Sequence, residues 1–212
     1  MARLFCLVMG YVFGLFQTGY LYSKSQHMDI RNYGSGNSGS TNVLRVMGKK
    51  AGLIVFIGDA GKMILACLLT RFLFRSQPEM LYVYLLYTGF GVILGHNYPF
   101  FMGFKGGKGI AASAGLLVSL DWRVTLICLV VFVATVAVTR YVSLGSIFVM
   151  ILFILGMVFW GHRGDYGIGT QHLTEFYIVA ALIGGMGIWR HHANIKRLMN
   201  GTENKLGAKK KE

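Results

Sequence analysis

The sequence predicts an all-α polytopic integral membrane protein with about seven transmembrane helices. Three observations carry that expectation. Hydrophobic residues make up 54% of the 212 residues. Charged residues are only 14%, against about 25% in a soluble domain. The apolar residues fall in runs too long for barrel strands and without alternation, and a helix satisfies its own backbone in lipid. This composition excludes an ordinary soluble enzyme, a disordered chain and a disulfide scaffold. The three cysteines, Cys6, Cys67 and Cys128, lie far apart in apolar runs, with no metal-ligand spacing.

The runs lie at 3–21, 51–73, 80–95, 109–120, 124–140, 142–160 and 173–189. The first reads as a retained span, because Arg3 is its only basic flank and no small-residue cleavage site follows. The second carries Asp59 and Lys62 three residues apart. Charges at membrane depth are costly and pair with one another, so the two read equally as a helix lock or as functional groups. The fourth run is short and reads as a partial span extended by the glycine-rich segment before it. Five full spans with interfacial pieces is the competing count. Trp122, Trp160 and Trp189 fall at run ends, as an interfacial belt requires. His162 and His172 read as solvated loop residues.

With seven spans, fifteen of the 21 basic residues fall on one side. They come from 22–50, 96–108, Arg140 and 190–212. The other side holds Arg3, Arg71, Arg75, Arg123 and Arg163. The positive-inside rule then puts the N-terminus outside and the C-terminus in the cytoplasm. The net charge of +13 reads as that same bias and not as a nucleic-acid surface. Residues 1–206 read as a single membrane-embedded domain, and 207–212 as a frayed basic tail.

Three polar segments interrupt the apolar pattern, all on the expected cytoplasmic side. The first is Gly34-Ser35-Gly36-Asn37-Ser38-Gly39-Ser40-Thr41-Asn42, followed by Val43-Leu44-Arg45. Its glycines permit close backbone approach to a ligand. Ser35, Asn37, Thr41 and Asn42 offer hydroxyls and amides, and Thr41 or Asn42 is placed to cap a helix carrying Arg45. The second runs from His96-Asn97-Tyr98-Pro99 to Gly103-Phe104-Lys105-Gly106-Gly107-Lys108-Gly109. Backbone N–H groups at the start of the following helix, with Lys105 and Lys108, form an anion site. It is no Walker loop, since GxxxxGK[ST] is absent. The third is Arg190-His191-His192-Ala193-Asn194-Ile195-Lys196-Arg197, with Gly201-Thr202-Glu203 behind it. His191 and Asn194 share one helical face, and histidine suits proton transfer near neutral pH.

Together these segments resemble the bacterial acyl-phosphate:glycerol-3-phosphate acyltransferases of the PlsY type. The carrying stretches are GSGNSGSTNVLR at 34–45, GHNYPFFMGFKGGKGIAAS at 95–113 and HHANIKRLMNGTE at 191–203. The family pattern has Arg-Glu where His192-Ala193 stand, and alignment through Asn194-Ile195 places the family's histidine at His191. The resemblance implies transfer of a fatty acyl group from acyl-phosphate to a glycerol 3-phosphate hydroxyl. The products are 1-acyl-glycerol 3-phosphate and phosphate, formed at the bacterial inner membrane in phospholipid synthesis. It implies no metal and no cofactor, and we expect a monomer. His191, Asn194, Ser35 and Arg45 are the expected catalytic residues. Asn37, Thr41, Asn42, Gly103, Lys105, Gly106, Gly107, Lys108 and Gly109 are the expected substrate-binding residues. The resemblance assigns the glycine-rich segment to glycerol 3-phosphate. Direct transfer, with His191 oriented by Asn194, competes with an acyl-Ser35 intermediate. A transporter of a phosphorylated metabolite is the alternative from another class, drawing on Asp59, Lys62 and the glycine-rich breaks.

Overall fold

The computed structural model describes residues 1–207, and the remaining basic residues of the expected tail lie outside that range. Among the described residues every regular element is helical. The helices are α1 (Ala2–Gly14), α2 (Thr18–Ser25), α3 (Ser40–Met47), α4 (Lys49–Leu73), α5 (Pro78–Asn97), α6 (Ile110–Leu120), α7 (Trp122–Thr139), α8 (Val142–His162), α9 (Leu173–Trp189) and α10 (His192–Met199). Six helical segments are long and apolar enough to cross a membrane, and α6 is a shorter apolar helix.

The first expected span is not one continuous helix. It breaks between Gly14 and Thr18, which leaves backbone carbonyls without helical partners. Two buried side chains supply partners, one within the break and one from α4. Gln17 Nε2 donates to the Gly14 carbonyl at 3.1 Å. Lys62 Nζ donates to the carbonyls of Phe16 at 2.5 Å and Gly14 at 3.3 Å. An unsatisfied carbonyl in lipid costs several kcal/mol, on the order of 4, so the break persists only with these donors.

Helices α1 and α5 pack backbone to backbone. Gly10 and Gly14 face Gly91 and Gly95, two small-xxx-small pairs of the kind that lets membrane helices approach closely. A methyl at Gly10 would sit 2.2 Å from the Thr88 carbonyl oxygen, and one at Gly91 would sit 2.1 Å from that of Leu7. The main core lies between α4, α5, α6, α8 and α9, around Met63, Leu86, Leu116, Met150 and Phe153. Helix α7 buries little of itself, and Leu126, Val130 and Val133 stay exposed, as lipid-facing residues do.

Polar contacts mark two ends of the bundle. At one end Arg71 Nη2 donates to the Ser119 carbonyl at 2.6 Å, and Tyr166 Oη donates to Asp121 at 3.1 Å. Arg123 bridges Asp121 and Asp165 at 2.7 and 2.6 Å, and Arg3 pairs with Glu175. The three polar segments gather at the opposite end. Short α6 joins the two: its N-terminus meets the polar segments and its last turn meets Arg71.

Candidate active site

A cavity of about 70 Å³ opens where the three polar segments converge. Ser35, Asn37, Thr41, Asn42 and Arg45 line it from the first segment, Lys108 and Gly109 from the second, and His191, Asn194 and Glu203 from the third. Asp59 and His96 line it too, as do Ser143 and Ser146 of α8. Ile110, Ala111 and Val142 add apolar lining.

The first segment is a loop braced by its own amides. Asn42 Oδ1 accepts from the Ser35 N–H at 2.9 Å, and Asn42 Nδ2 donates to the Tyr33 carbonyl at 2.9 Å. Asn37 Oδ1 accepts from the Gly39 N–H at 2.9 Å. Neither Thr41 nor Asn42 caps α3; Gly39 occupies the N-cap and no side chain bonds there. Asn42 is engaged by the loop instead, which holds Ser35 at the cavity. Arg45 leans on the same opening, with Nη2 donating to the Asn204 carbonyl at 3.4 Å. Its Nε is buried without a partner.

The second segment departs from the expected nest. The Gly106 and Gly107 N–H groups donate inward to the carbonyls of Asn97 and His96, each at 3.1 Å. Their own carbonyls accept from Arg190 Nη2 at 3.2 and 2.8 Å. Gly103 and Lys105 are exposed and do not line the cavity. The glycines therefore serve close packing: a methyl at Gly107 would lie 2.0 Å from His96 Nε2. What faces the cavity is the start of α6, with Gly109 in the left-handed region at φ 80° and Ile110 and Ala111 after it. Lys108 adds an ammonium that donates to Asn194 Oδ1. Burial, then the nearby Arg197, pulls the Lys108 pKa down to about 8.

In the third segment His191 sits at the α9–α10 junction, only 3% exposed. Its orientation comes from the Gly187 carbonyl, 2.7 Å from Nδ1, and not from Asn194. That contact puts the proton on Nδ1 and leaves Nε2 as an acceptor. Burial lowers the His191 pKa to about 4, with Lys108 adding to the effect, so the imidazole is neutral at pH 7. Asn194 is a linker: it accepts from Lys108, and its Nδ2 donates to Glu203 Oε1 at 2.8 Å. Glu203, which sequence reasoning left out of the site, anchors the segment. It accepts from Arg197 at 2.7 Å and from Ser143 at 3.0 Å. Burial raises its pKa, but the bonds from Asn194, Arg197 and Ser143 outweigh that and hold it below the usual carboxylate value. A lone acid after a basic helix was the available signal.

The site thus presents a cluster of cations, open hydroxyls and a neutral imidazole around one cavity. Among the described residues no group of histidine, cysteine or acidic side chains is placed to hold a metal. An apolar groove between α7 and α8, lined by Val124, Leu155 and Trp160, lies apart from the cavity.

Comparison with known proteins places these features. The family model described as glycerol-3-phosphate acyltransferase matches residues 4–201. The chain is 42% identical over 206 residues to the glycerol-3-phosphate acyltransferase of Clostridioides difficile, covering 96% of this chain and 95% of that protein. It is 39% identical over 204 residues to that of a Thermoanaerobacter species, covering 95% and 94%. A crystal structure of PlsY, an integral membrane glycerol 3-phosphate acyltransferase in its glycerol 3-phosphate form, matches with a TM-score of 0.82 at 36% identity. That match covers 98% of this chain and 96% of the other.

Proposed function

The chain belongs to the glycerol-3-phosphate acyltransferase family of PlsY type, and from that membership we propose that the cavity moves a fatty acyl group from acyl-phosphate to glycerol 3-phosphate. The enzyme serves phospholipid biosynthesis. The observation that carries the site assignment is the meeting of Arg45, Lys108, the α6 N-terminus and His191 around one cavity. Both substrates are phosphate anions, so the reaction needs two cationic or N–H-rich cradles side by side. The Lys108–Ala111 corner suits glycerol 3-phosphate, and Ser35 with Arg45 suits the acyl-phosphate.

The glycerol hydroxyl oxygen attacks the acyl carbonyl carbon, the carbonyl carbon–phosphate oxygen bond breaks, and phosphate leaves. His191 Nε2 accepts a hydrogen bond from the hydroxyl and aims it. With its pKa near 4, His191 is a weak proton sink. A phosphate oxygen, whose second pKa is about 6, is the better final acceptor of that proton. Phosphate is a good leaving group, so no acyl-Ser35 is required, and the protein contributes orientation and charge stabilisation.

Seven crossings fit the placement of α6, whose two ends reach opposite polar ends of the bundle. The excess of basic residues around the cavity then puts it on the cytoplasmic side of the bacterial inner membrane. We propose that residues 1–206 act as one domain and as a monomer. The transporter alternative lacks support: Asp59 and Lys62 pair at 3.0 Å and tie down the α1–α2 break.

Phosphate release by the purified protein tests the reading. Palmitoyl phosphate and glycerol 3-phosphate together should give equal amounts of phosphate and lysophosphatidate. Palmitoyl-CoA should give none. Product from the CoA donor at a comparable rate overturns the acyl-phosphate assignment, and radiolabelled acyl-Ser35 trapped without acceptor overturns direct transfer.

A further inference from the structure

His96 belongs to none of the residues assigned above to substrate, yet its surroundings fix it in one chemical form. Its ring is 3% exposed and lines the cavity beside Lys108 and Gly109. Lys62 Nζ lies 2.9 Å from His96 Nδ1. Lys62 also donates to the Phe16 carbonyl and lies 3.0 Å from Asp59 Oδ1. An ammonium has three N–H donors and no acceptor. Of its four neighbours the Gly14 carbonyl is the most distant, at 3.3 Å, and at 2.9 Å a donor-only ammonium faces Nδ1, which must present a lone pair. A proton on Nδ1 would face a cation. The neutral ring then carries its proton on Nε2.

Nε2 finds no hydrogen-bond partner among the described residues. It lies against Gly107, where any Cβ would sit 2.0 Å away. The next residues are Lys108 and Gly109, at the corner where α6 begins. His96 itself lines the cavity proposed above for the anionic substrates.

We propose that His96 is a substrate-binding residue, a fixed-tautomer imidazole whose Nε2–H donates to a phosphate oxygen of glycerol 3-phosphate, with Lys62 and Asp59 as the positioning pair behind it. The inference rests on the reading of the Lys108–Ala111 corner as the glycerol 3-phosphate site. It gives the intramembrane Asp59–Lys62 pair a task in the reaction as well as in the fold. Lys62 ties down the α1–α2 break through the Phe16 carbonyl, pairs with Asp59, and sets the His96 tautomer. The site thereby pairs two buried histidines of opposite form. His191 presents Nε2 as an acceptor to the hydroxyl, and His96 presents Nε2–H as a donor to the phosphate.

Two substitutions separate this role from simple packing. Asparagine carries its amide near the position of Nδ1, so His96→Asn keeps the acceptor for Lys62 and loses the donor to substrate. Glutamine reaches to the position of Nε2, so His96→Gln restores a donor. The expected result is a glycerol 3-phosphate KM raised about 10-fold to 100-fold in His96→Asn, the worth of a hydrogen bond to a charged group. The kcat changes much less, and His96→Gln recovers part of the KM loss. A structural role predicts the reverse order, with His96→Asn near wild type and His96→Gln worse, and that order overturns the proposal. Nitrogen-15 imidazole NMR of the wild-type protein is independent of variant folding. One buried histidine should read as Nε2–H and shift on adding glycerol 3-phosphate. A His96 ring protonated on Nδ1, or one indifferent to saturating glycerol 3-phosphate, also overturns it. Lys108→Met distinguishes the two levels of inference. If it leaves KM unchanged, the assignment of the corner fails. If it raises KM while His96→Asn does not, only the role of His96 fails.

Discussion

At the end of the bundle away from the cavity, Arg123 meets Asp121 and Asp165, Arg163 meets the same Asp165 at 3.2 Å, and Arg3 meets Glu175. Around the cavity Arg45, Arg190 and Arg197 lie near Lys108, and the acid close to them, Glu203, is already engaged by Arg197. Arg45 and Arg190 each keep a buried Nε without a partner. Both ends are rich in arginine, and Arg71 and Arg75 at the far end also lack an acidic partner, but only at the other end do the cations border a polar cavity. Paired guanidiniums hold loops together. Surplus ones beside a cavity are matched only when an anion arrives. The distinction between a structural cluster and a site lies in what is left unpaired, not in residue type.

The comparison breaks most visibly in turnover. Removing Arg45 or the His191 imidazole by alanine substitution should lower the acyl-transfer rate about 100-fold or more, the scale of losing one transition-state contact. Arg123→Ala should leave the rate within a few-fold of wild type. Equal losses at both ends, measured as lysophosphatidate formed per folded enzyme, would erase the difference.

A smaller effect belongs to Gly107→Ala. Its methyl must displace the His96 ring, so the glycerol 3-phosphate KM should rise about tenfold while kcat falls less. A kcat defect alone would move the phosphate site away from this corner.

The pH profile gives a third reading. Lys108 is pushed down to about 8, so it is charged below that pH and neutral above it. The KM for glycerol 3-phosphate should climb as pH passes through 8, and Lys108→Met should flatten the climb. His191, near 4, is neutral throughout that range and contributes no step. Smallest of all, Asp165→Asn should lower the thermal unfolding temperature slightly with kinetic constants intact, because exposed ion pairs contribute little.

The sequence was most legible where one-dimensional pattern and three-dimensional role coincide. Six of the seven apolar runs became single helices near their expected bounds, because lipid leaves the backbone no alternative, and the first became two. The three polar segments, expected on one side, do meet around one cavity. What stayed hidden depends on contacts between distant residues. The break at Gly14–Thr18 relies on Lys62, 46 residues from Phe16. Gly106 and Gly107 read as a nest of free N–H groups, but their protons go to Asn97 and His96. Asn194 read as the partner of His191 from their spacing, and the Gly187 carbonyl takes that place instead. Ser143 and Ser146 entered the site from α8, which spacing alone did not join to it, and Glu203 of the third segment proved to be a site residue.

The most direct measurement is calorimetric titration of glycerol 3-phosphate into the wild-type protein, Lys108→Met and Arg123→Ala in the same detergent. The account predicts that Arg123→Ala binds with the wild-type Kd and that Lys108→Met weakens binding at least about tenfold, the loss of one charge-assisted contact. Wild-type affinity in Lys108→Met, or a comparable loss in Arg123→Ala, would contradict the claim that the unpaired cations around the cavity are the substrate site.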